Sequence, residues 1–174
     1  MRASAFFIAL GFTVALPSCG FADRWSFAEP AAVHRLAPGL TTGPAPKTRV
    51  ELQRLQSAGV QRVVDLRTLR ILPGWLESRR ARSLGMQYVR IPIGLRPLRR
   101  GRLPELLRAM DDSFSIPTYV HCHLGSDRTG LATALFRTET QGVAPEVAHR
   151  EFRQHRFNHR LRGLDEAFWS VTSR

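Results

Sequence analysis

The sequence predicts an α/β fold in which a central, mostly parallel sheet is flanked by helices. Three observations carry that expectation. Short apolar runs of strand length alternate with segments whose apolar residues recur at helical spacing. Strand and helix follow one another along the chain, the order that builds parallel sheets through crossover helices. The chain of 174 residues has room for one domain with a single core.

After the N-terminal segment, residues 23 to 46 read as irregular, punctuated by Pro30, Pro38, Pro44 and Pro46, with Val33 to Leu36 as a short edge strand. Val50, Leu52, Leu55 and Ala58 place one buried stripe on a helix from Thr48 to Ala58, ended by Gly59. Val60 to Leu66 (VQRVVDL) follows as a strand. Trp75 to Leu84 is a helix stopped by Gly85, and Met86 to Ile93 (MQYVRIPI) is the next strand. A basic turn, Arg99-Arg100-Gly101-Arg102, precedes a helix from Leu103 to Met110. Ile116 to His121 is a short buried strand that runs into a glycine-containing loop starting at Cys122. An apolar helix spans Arg128 to Thr140, with Leu131, Ala132, Leu135 and Ala134 on its inner side. Pro145 to His155 and Leu161 to Val171 are the last two helices. No internal repeat or low-complexity block interrupts this order.

The first 22 residues read as a signal peptide and residues 23–174 as the domain. Arg2 supplies a positive charge, Ala5 to Leu16 is almost wholly apolar, and Gly20-Phe21-Ala22 has the small-x-small pattern of a cleavage site. The apolar run is shorter than the about 20 residues of a membrane span. Leu16-Pro17-Ser18-Cys19 also resembles a lipoprotein box, although Pro17 fits it poorly. The expectation is an exported protein, periplasmic or secreted, with a lipid anchor through Cys19 as the alternative. Cleavage near Ala22 would leave Cys122 as the domain's only cysteine. An unpaired cysteine in an exported protein calls for a reason, and nucleophilic chemistry is one.

The hydrophobic fraction of 43% and charged fraction of 23% are those of an ordinary globular protein. The charge balance is not ordinary: 26 Lys and Arg against 14 Asp and Glu give a net charge of +12. Such a surface attracts anions, whether phosphorylated substrates, an anionic membrane surface or nucleic acid. A compositional preference for arginine explains the same totals. No nucleic-acid motif is present, so no nucleic-acid partner is expected.

The decisive pattern is Cys122, five residues, then Arg128, set between a strand and a helix. A phosphoryl group needs a nucleophile below it and hydrogen-bond donors around its oxygens. A loop closing onto a helix N-terminus supplies backbone N–H groups and the positive end of the helix dipole. Arg128 adds a guanidinium fork that binds two phosphate oxygens and holds their growing charge. The same field favours thiolate over thiol at Cys122. Gly125 lets the backbone turn sharply so that its amides point inward, and the Thr129 hydroxyl is placed to donate to the thiolate.

In this loop the chain resembles the cysteine-dependent protein tyrosine and dual-specificity phosphatases, whose signature is His-Cys-x5-Arg-Thr/Ser-Gly. His121, Cys122, Arg128, Thr129 and Gly130 match its fixed positions, and Gly125 matches its frequent loop glycine. The order of elements from Val60 to Gly130, including Val63 to Arg67, is also similar. The resemblance implies phosphate monoester hydrolysis through a phosphocysteine, without metal or other cofactor. It gives His123, Leu124, Gly125, Ser126, Thr129 and Gly130 substrate-binding positions, and His121 a role in tuning Cys122. The substrate class it implies is a phosphorylated protein, lipid or inositol phosphate. The loop lacks the lysine of many lipid- and inositol-directed relatives.

One departure concerns the general acid. Relatives place an aspartate on a mobile loop after the strand that here ends at Ile93, yet Gly94 to Arg100 contains no acid. Asp127 is the substitute, since bacterial relatives ending in Asp-Arg-Thr-Gly resemble this chain there. The plainer alternative makes Asp127 a residue that caps or orients the loop. Asp111 and Asp112 are weaker candidates, expected at the far end of the strand. Asp65 and Arg67 read first as a structural ion pair. His149, His155 and His159 lack the companions of a metal site, and Arg150, Arg153, Arg156, Arg160 and Arg162 read as an exposed basic face. A non-catalytic phosphate-binding module of the same fold is the competing function. A sulfurtransferase or arsenate reductase is a third, which the Arg-Thr-Gly ending followed by a helix disfavours.

Overall fold

The computed structural model describes residues 33–68, 71–94, 102–154 and 162–173. In chain order its elements are β1 (His34–Ala37), β2 (Leu40–Gly43), α1 (Arg49–Ser57), β3 (Arg62–Asp65), α2 (Ile71–Ser83) and β4 (Gln87–Arg90). There follow α3 (Leu103–Asp111), a 3-10 turn (Asp112–Phe114), β5 (Thr118–His121), α4 (Asp127–Glu139), α5 (Pro145–Gln154) and α6 (Arg162–Thr172). The strands form one sheet in the order β1-β2-β5-β3-β4. Only the β1–β2 pair is antiparallel; β2–β5, β5–β3 and β3–β4 are parallel. The α/β architecture with a mostly parallel sheet is therefore as expected.

Alternation along the strands sorts the core into two layers. Val63 and Tyr119 face one side, where they pack with Leu52 and Leu55 of α1, Ala81 of α2 and Met86. Val64 and Val120 face the other, against Leu106 and Met110 of α3, Leu131 and Leu135 of α4, and Phe168 of α6. Helix α4 is buried along its whole inner side, including the four residues read from the sequence.

Several boundaries depart from expectation for physical reasons. Residues 37–46 are not wholly irregular, because Leu40–Gly43 forms β2 beside the central strand. The chain enters β2 through Pro38-Gly39, where Gly39 takes φ 74° and a Cβ would sit 2.1 Å from the Ser113 carbonyl oxygen. Helix α2 begins at Ile71, before Pro73 and Gly74; proline is tolerated in a first turn, where its missing N–H has no partner to lose. Helix α1 starts one residue after Thr48, which caps it in a reciprocal box with Glu51. The strand expected from Met86 to Ile93 leaves the regular ladder after Arg90, although Ile91 N–H still donates to Asp65 O and Ile93 N–H to Leu66 O.

His149 is not a ligand in waiting. Its Nε2 lies 2.8 Å from Asp165 Oδ1, and Arg153 donates to Asp165 Oδ2 at 2.7 Å, so the pair ties α5 to α6. Arg153 is thus partly exposed but paired with Asp165. His155, His159, Arg156, Arg160, the basic residues Arg99 and Arg100, and the proposed signal with Cys19 and Trp25 lie outside the described residues. Among the described residues no group of three or more metal-binding side chains converges, and no helix is long and apolar enough to cross a membrane.

Candidate active site

Cys122 follows directly from β5, and the loop it opens closes on the first turn of α4. The site therefore lies at the C-terminal ends of the parallel strands, where α/β sheets place their ligand crevices. Cys122 itself is buried. His123 and Leu124 are exposed, whereas Gly125, Ser126, Asp127 and Arg128 are half-buried. The loop N–H groups of Leu124, Gly125 and Ser126 donate to no group among the described residues. Ser126 makes no side-chain cap to α4; its hydroxyl instead lies 3.4 Å from Asp127 Oδ2. Helix α4 thus starts without a side-chain cap from Ser126, at the positive end of its dipole.

Arg128 is fixed by one bond, Nε to the Ile93 carbonyl at 2.8 Å. That bond ties α4 to the chain leaving β4 and sets the plane of the guanidinium. Its terminal nitrogens donate to no group among the described residues, which leaves the fork for an anion. Thr129 is buried, and its Oγ1 has no hydrogen-bond partner among the described residues. The expected bond from this hydroxyl to Cys122 is therefore not made; the side chain is turned into the interior.

Two glycines of the motif owe their place to packing. A Cβ on Gly130 would lie 2.8 Å from the Phe152 ring, so α4 and α5 approach there only without a side chain. Gly125 takes φ 77°, and a Cβ on it would sit 2.5 Å from the Gly43 carbonyl carbon and 2.7 Å from Pro44 N. The chain leaving β2 thus straps the loop: Ala45 N–H donates to His123 O at 3.2 Å, and Tyr119 Oη to Pro44 O at 2.7 Å. Gly125→Ala is expected to cost about 1–3 kcal/mol through left-handed strain and overpacking. It should also displace the loop, so a thermal melt and an activity assay should fall together.

Beneath the loop lies a buried polar network. Register places Gly43, His121, Asp65 and Arg90 in one row across β2, β5, β3 and β4. Alternation turns Asp65 and His121 toward α2, like Val63 and Tyr119. There Glu77 of α2 receives Arg67 Nη2 at 2.6 Å, and its Oε1 lies 2.8 Å from His121 Nε2. The latter is a close polar contact without the alignment of a hydrogen bond. Arg67 Nε and Nη2 also clasp Asp65 at 2.7 and 2.9 Å, and Tyr88 Oη donates to Asp65 at 2.9 Å. On its other side His121 Nδ1 is 2.8 Å from the Cys122 carbonyl. A carbonyl only accepts, so Nδ1 carries a proton. Tyr119 stacks on the same ring at 5.9 Å.

The network shifts its members in the directions its charges demand. Burial raises Asp65, but the hydrogen bonds and charge of Arg67, with His121 nearby, outweigh it and hold the carboxyl below its ordinary value. Burial lowers Arg67, yet its bonds to Asp65 and the charge of Glu77 raise it overall. Tyr88 and Tyr119 are both raised, first by burial and then by the Glu77 charge. Asp65 and Arg67 are the ion pair read from the sequence. Glu77, Tyr88 and Tyr119 were invisible there, because nothing local marks a lone glutamate on a helix as buried. Asp112 pairs with Arg62 at 3.0 Å, at the opposite end of β3 from the loop, as expected.

The Tyrosine phosphatase family matches residues 76–158, a span that contains the whole loop and the helix behind it. The match spans just under half of the chain, which in this region is similar to the cysteine-dependent phosphatases of the tyrosine and dual-specificity type. Among solved structures, TpbA from P. aeruginosa superposes with a TM-score of 0.66 at 19% identity, over 80% of this chain and 84% of that one. The active form of Tk-PTP gives 0.68 at 19% identity, over 82% and 97%. Human DUSP28 gives 0.61 at 18% identity, over 83% and 95%. At such identities the likeness carries the fold alone. No curated protein matches the chain with significance.

Proposed function

We propose that this phosphatase hydrolyses phosphate monoesters through a phosphocysteine on Cys122, with Arg128 binding the phosphoryl oxygens and Asp127 moving the proton. The observation that carries the reading is the loop from Cys122 to Arg128, closed on an uncapped helix start with the Arg128 guanidinium held by Ile93 O. The phosphoryl oxygens would rest on the loop amides and the Arg128 fork. The Cys122 thiolate attacks phosphorus and the ester P–O bond breaks, with the Asp127 proton passing to the leaving oxygen. Water then attacks the phosphocysteine, Asp127 takes its proton, phosphate leaves and the thiolate returns. Residues His123, Leu124 and Ser126 line the rim that meets the rest of the substrate. His121, held between Glu77 and the Cys122 carbonyl, fixes the strand end from which the loop springs.

A phosphotyrosyl protein is the substrate class best supported, because a TpbA variant of the same fold has been solved in complex with phosphotyrosine. Lipid and inositol phosphates are less favoured, given the loop without lysine. The apolar segment from Ala5 to Leu16 supports export of the mature domain, and Cys122 is a free thiol.

The test is rapid-mix hydrolysis of an aryl phosphate by the full chain in the presence of a chelator. A burst of phenol ahead of phosphate release, with phosphate trapped on Cys122 by acid quench, is the expected result. Folded protein that binds vanadate but releases no phenol would instead make it a binding module. Asp127→Asn is expected to lower kcat about a hundredfold for an alkyl phosphate and far less for a nitrophenyl ester, whose leaving group needs no proton. Equal losses for both esters would return Asp127 to a purely orienting role.

A further inference from the structure

Helix α2 has a second face. Its inner side carries Glu77 to the active loop, while Leu76, Arg79, Arg80 and Ser83 on its outer side line a groove with Arg49 of α1. The groove has a volume of about 260 Å3 and lies outside the Cys122 loop. Its three guanidiniums have no carboxylate within ion-pair distance among the described residues. The carboxylates nearest in sequence are engaged elsewhere: Glu51 caps α1 and Glu77 is buried in the network. Like charges gathered around one concavity repel, and an anion placed among them removes that repulsion.

The arginines are also held in place. Arg49 Nη1 donates to Ser83 Oγ at 2.8 Å, and Arg80 Nη1 to Lys47 O at 2.9 Å. Arg79 lies 5.0 Å over the Trp75 ring, which is half exposed, and Leu76 gives the groove an exposed apolar wall. Exposed Trp75 and Leu76 beside fixed arginines have the composition of a protein-binding patch, with aromatic and arginine anchors.

We propose that this groove docks an acidic peptide segment of a protein partner, with carboxylates on Arg49, Arg79 and Arg80 and an apolar side chain against Leu76 and Trp75. Concavity favours a chain segment over a bilayer. Arg49 and Arg80 are tied back to Ser83 and Lys47, not splayed outward as residues reaching a plane of headgroups would be. The groove is also linked to the active loop, since Lys47 follows the Gly43-Pro44-Ala45 strap that holds Gly125 and His123.

The test reads binding alone, so it stands apart from the chemistry at Cys122. A short fluorescein-labelled peptide rich in Asp and Glu around a central Leu is titrated with the full chain at physiological ionic strength, followed by anisotropy. Arg49→Gln/Arg79→Gln/Arg80→Gln is expected to weaken binding about tenfold or more. Arg108→Gln/Arg150→Gln, two exposed arginines elsewhere, should leave it unchanged. Circular dichroism melts check that each variant folds; should the triple variant fail, Arg79→Gln alone, whose guanidinium lies over the Trp75 ring, is expected to weaken binding measurably. The proposal is overturned by equal losses in both variants, by no binding of the peptide, or by phosphatidylserine vesicles or an oligonucleotide binding the groove in its place.

Discussion

Cys122→Ser is expected to abolish turnover of an aryl phosphate, a fall on the order of a hundred-thousandfold, while leaving fold and oxyanion binding intact. Serine matches cysteine in shape, and the buried position at the end of β5 accepts it. A serine hydroxyl is not ionised near neutral pH, so the attack on phosphorus is lost. The amides of Leu124 to Ser126 and the Arg128 fork are unchanged, so vanadate should still bind, as calorimetry would report. Residual turnover within tenfold of wild type would place the nucleophile elsewhere. Arg128→Lys is the companion variant. An ammonium can neither span two phosphate oxygens nor keep the Nε bond to Ile93 O, so a loss of about a hundredfold to a thousandfold in kcat is expected.

The second large effect is on stability. Glu77→Ala removes the acceptor of Arg67 Nη2 and the neighbour of His121 Nε2 at one stroke. Breaking a buried pair by deleting one partner costs about 3–5 kcal/mol, because the remaining charge stays buried. Asp65 still clasps Arg67, so the lower end of that range is expected. For a chain of this size the melting temperature should drop by about 10 °C. Glu77→Gln, which keeps an acceptor for Arg67 without the charge, should lose less. Freed from Glu77, the His121 ring should turn less firmly against the Cys122 carbonyl, so kcat is expected to fall more than KM rises. A melt within a degree or two of wild type would mean that the network does not hold the loop.

Motif residues were legible because their chemistry is local. Cys122, Gly125, Arg128 and Gly130 sit at fixed spacing, and one loop brings them together. Helix α4 was legible for the same reason: a run from Leu131 to Phe136 buries itself wherever it lies. What escaped the sequence depends on partners far along the chain. Leu40-Thr41-Thr42-Gly43 offers one large apolar side chain between prolines, and becomes β2 only because β5 lies beside it. Glu77 looks like any surface glutamate of a helix until Arg67 and His121 are seen to converge on it. Thr129 shows the converse, where a motif residue takes an orientation that the motif alone did not foretell.

The β1–β2 hairpin has a bearing on how the chain behaves among its own copies. Strand β5 carries His121 and leads into the loop, and its backbone is paired on both sides, by β3 and by β2. Without the hairpin, Thr118 to His121 would present a bare row of N–H and C=O groups. Such a row is open to strand addition from a neighbouring molecule. The hairpin fills that position and passes the sheet margin to β1, which is four residues long, irregular between Arg35 and Ala37, and exposed at His34 and Arg35. Short, twisted, cationic margins resist intermolecular pairing. A stretch that reads from the sequence as irregular beyond a short edge strand thus doubles as a guard against aggregation through the strand that leads into the Cys122 loop.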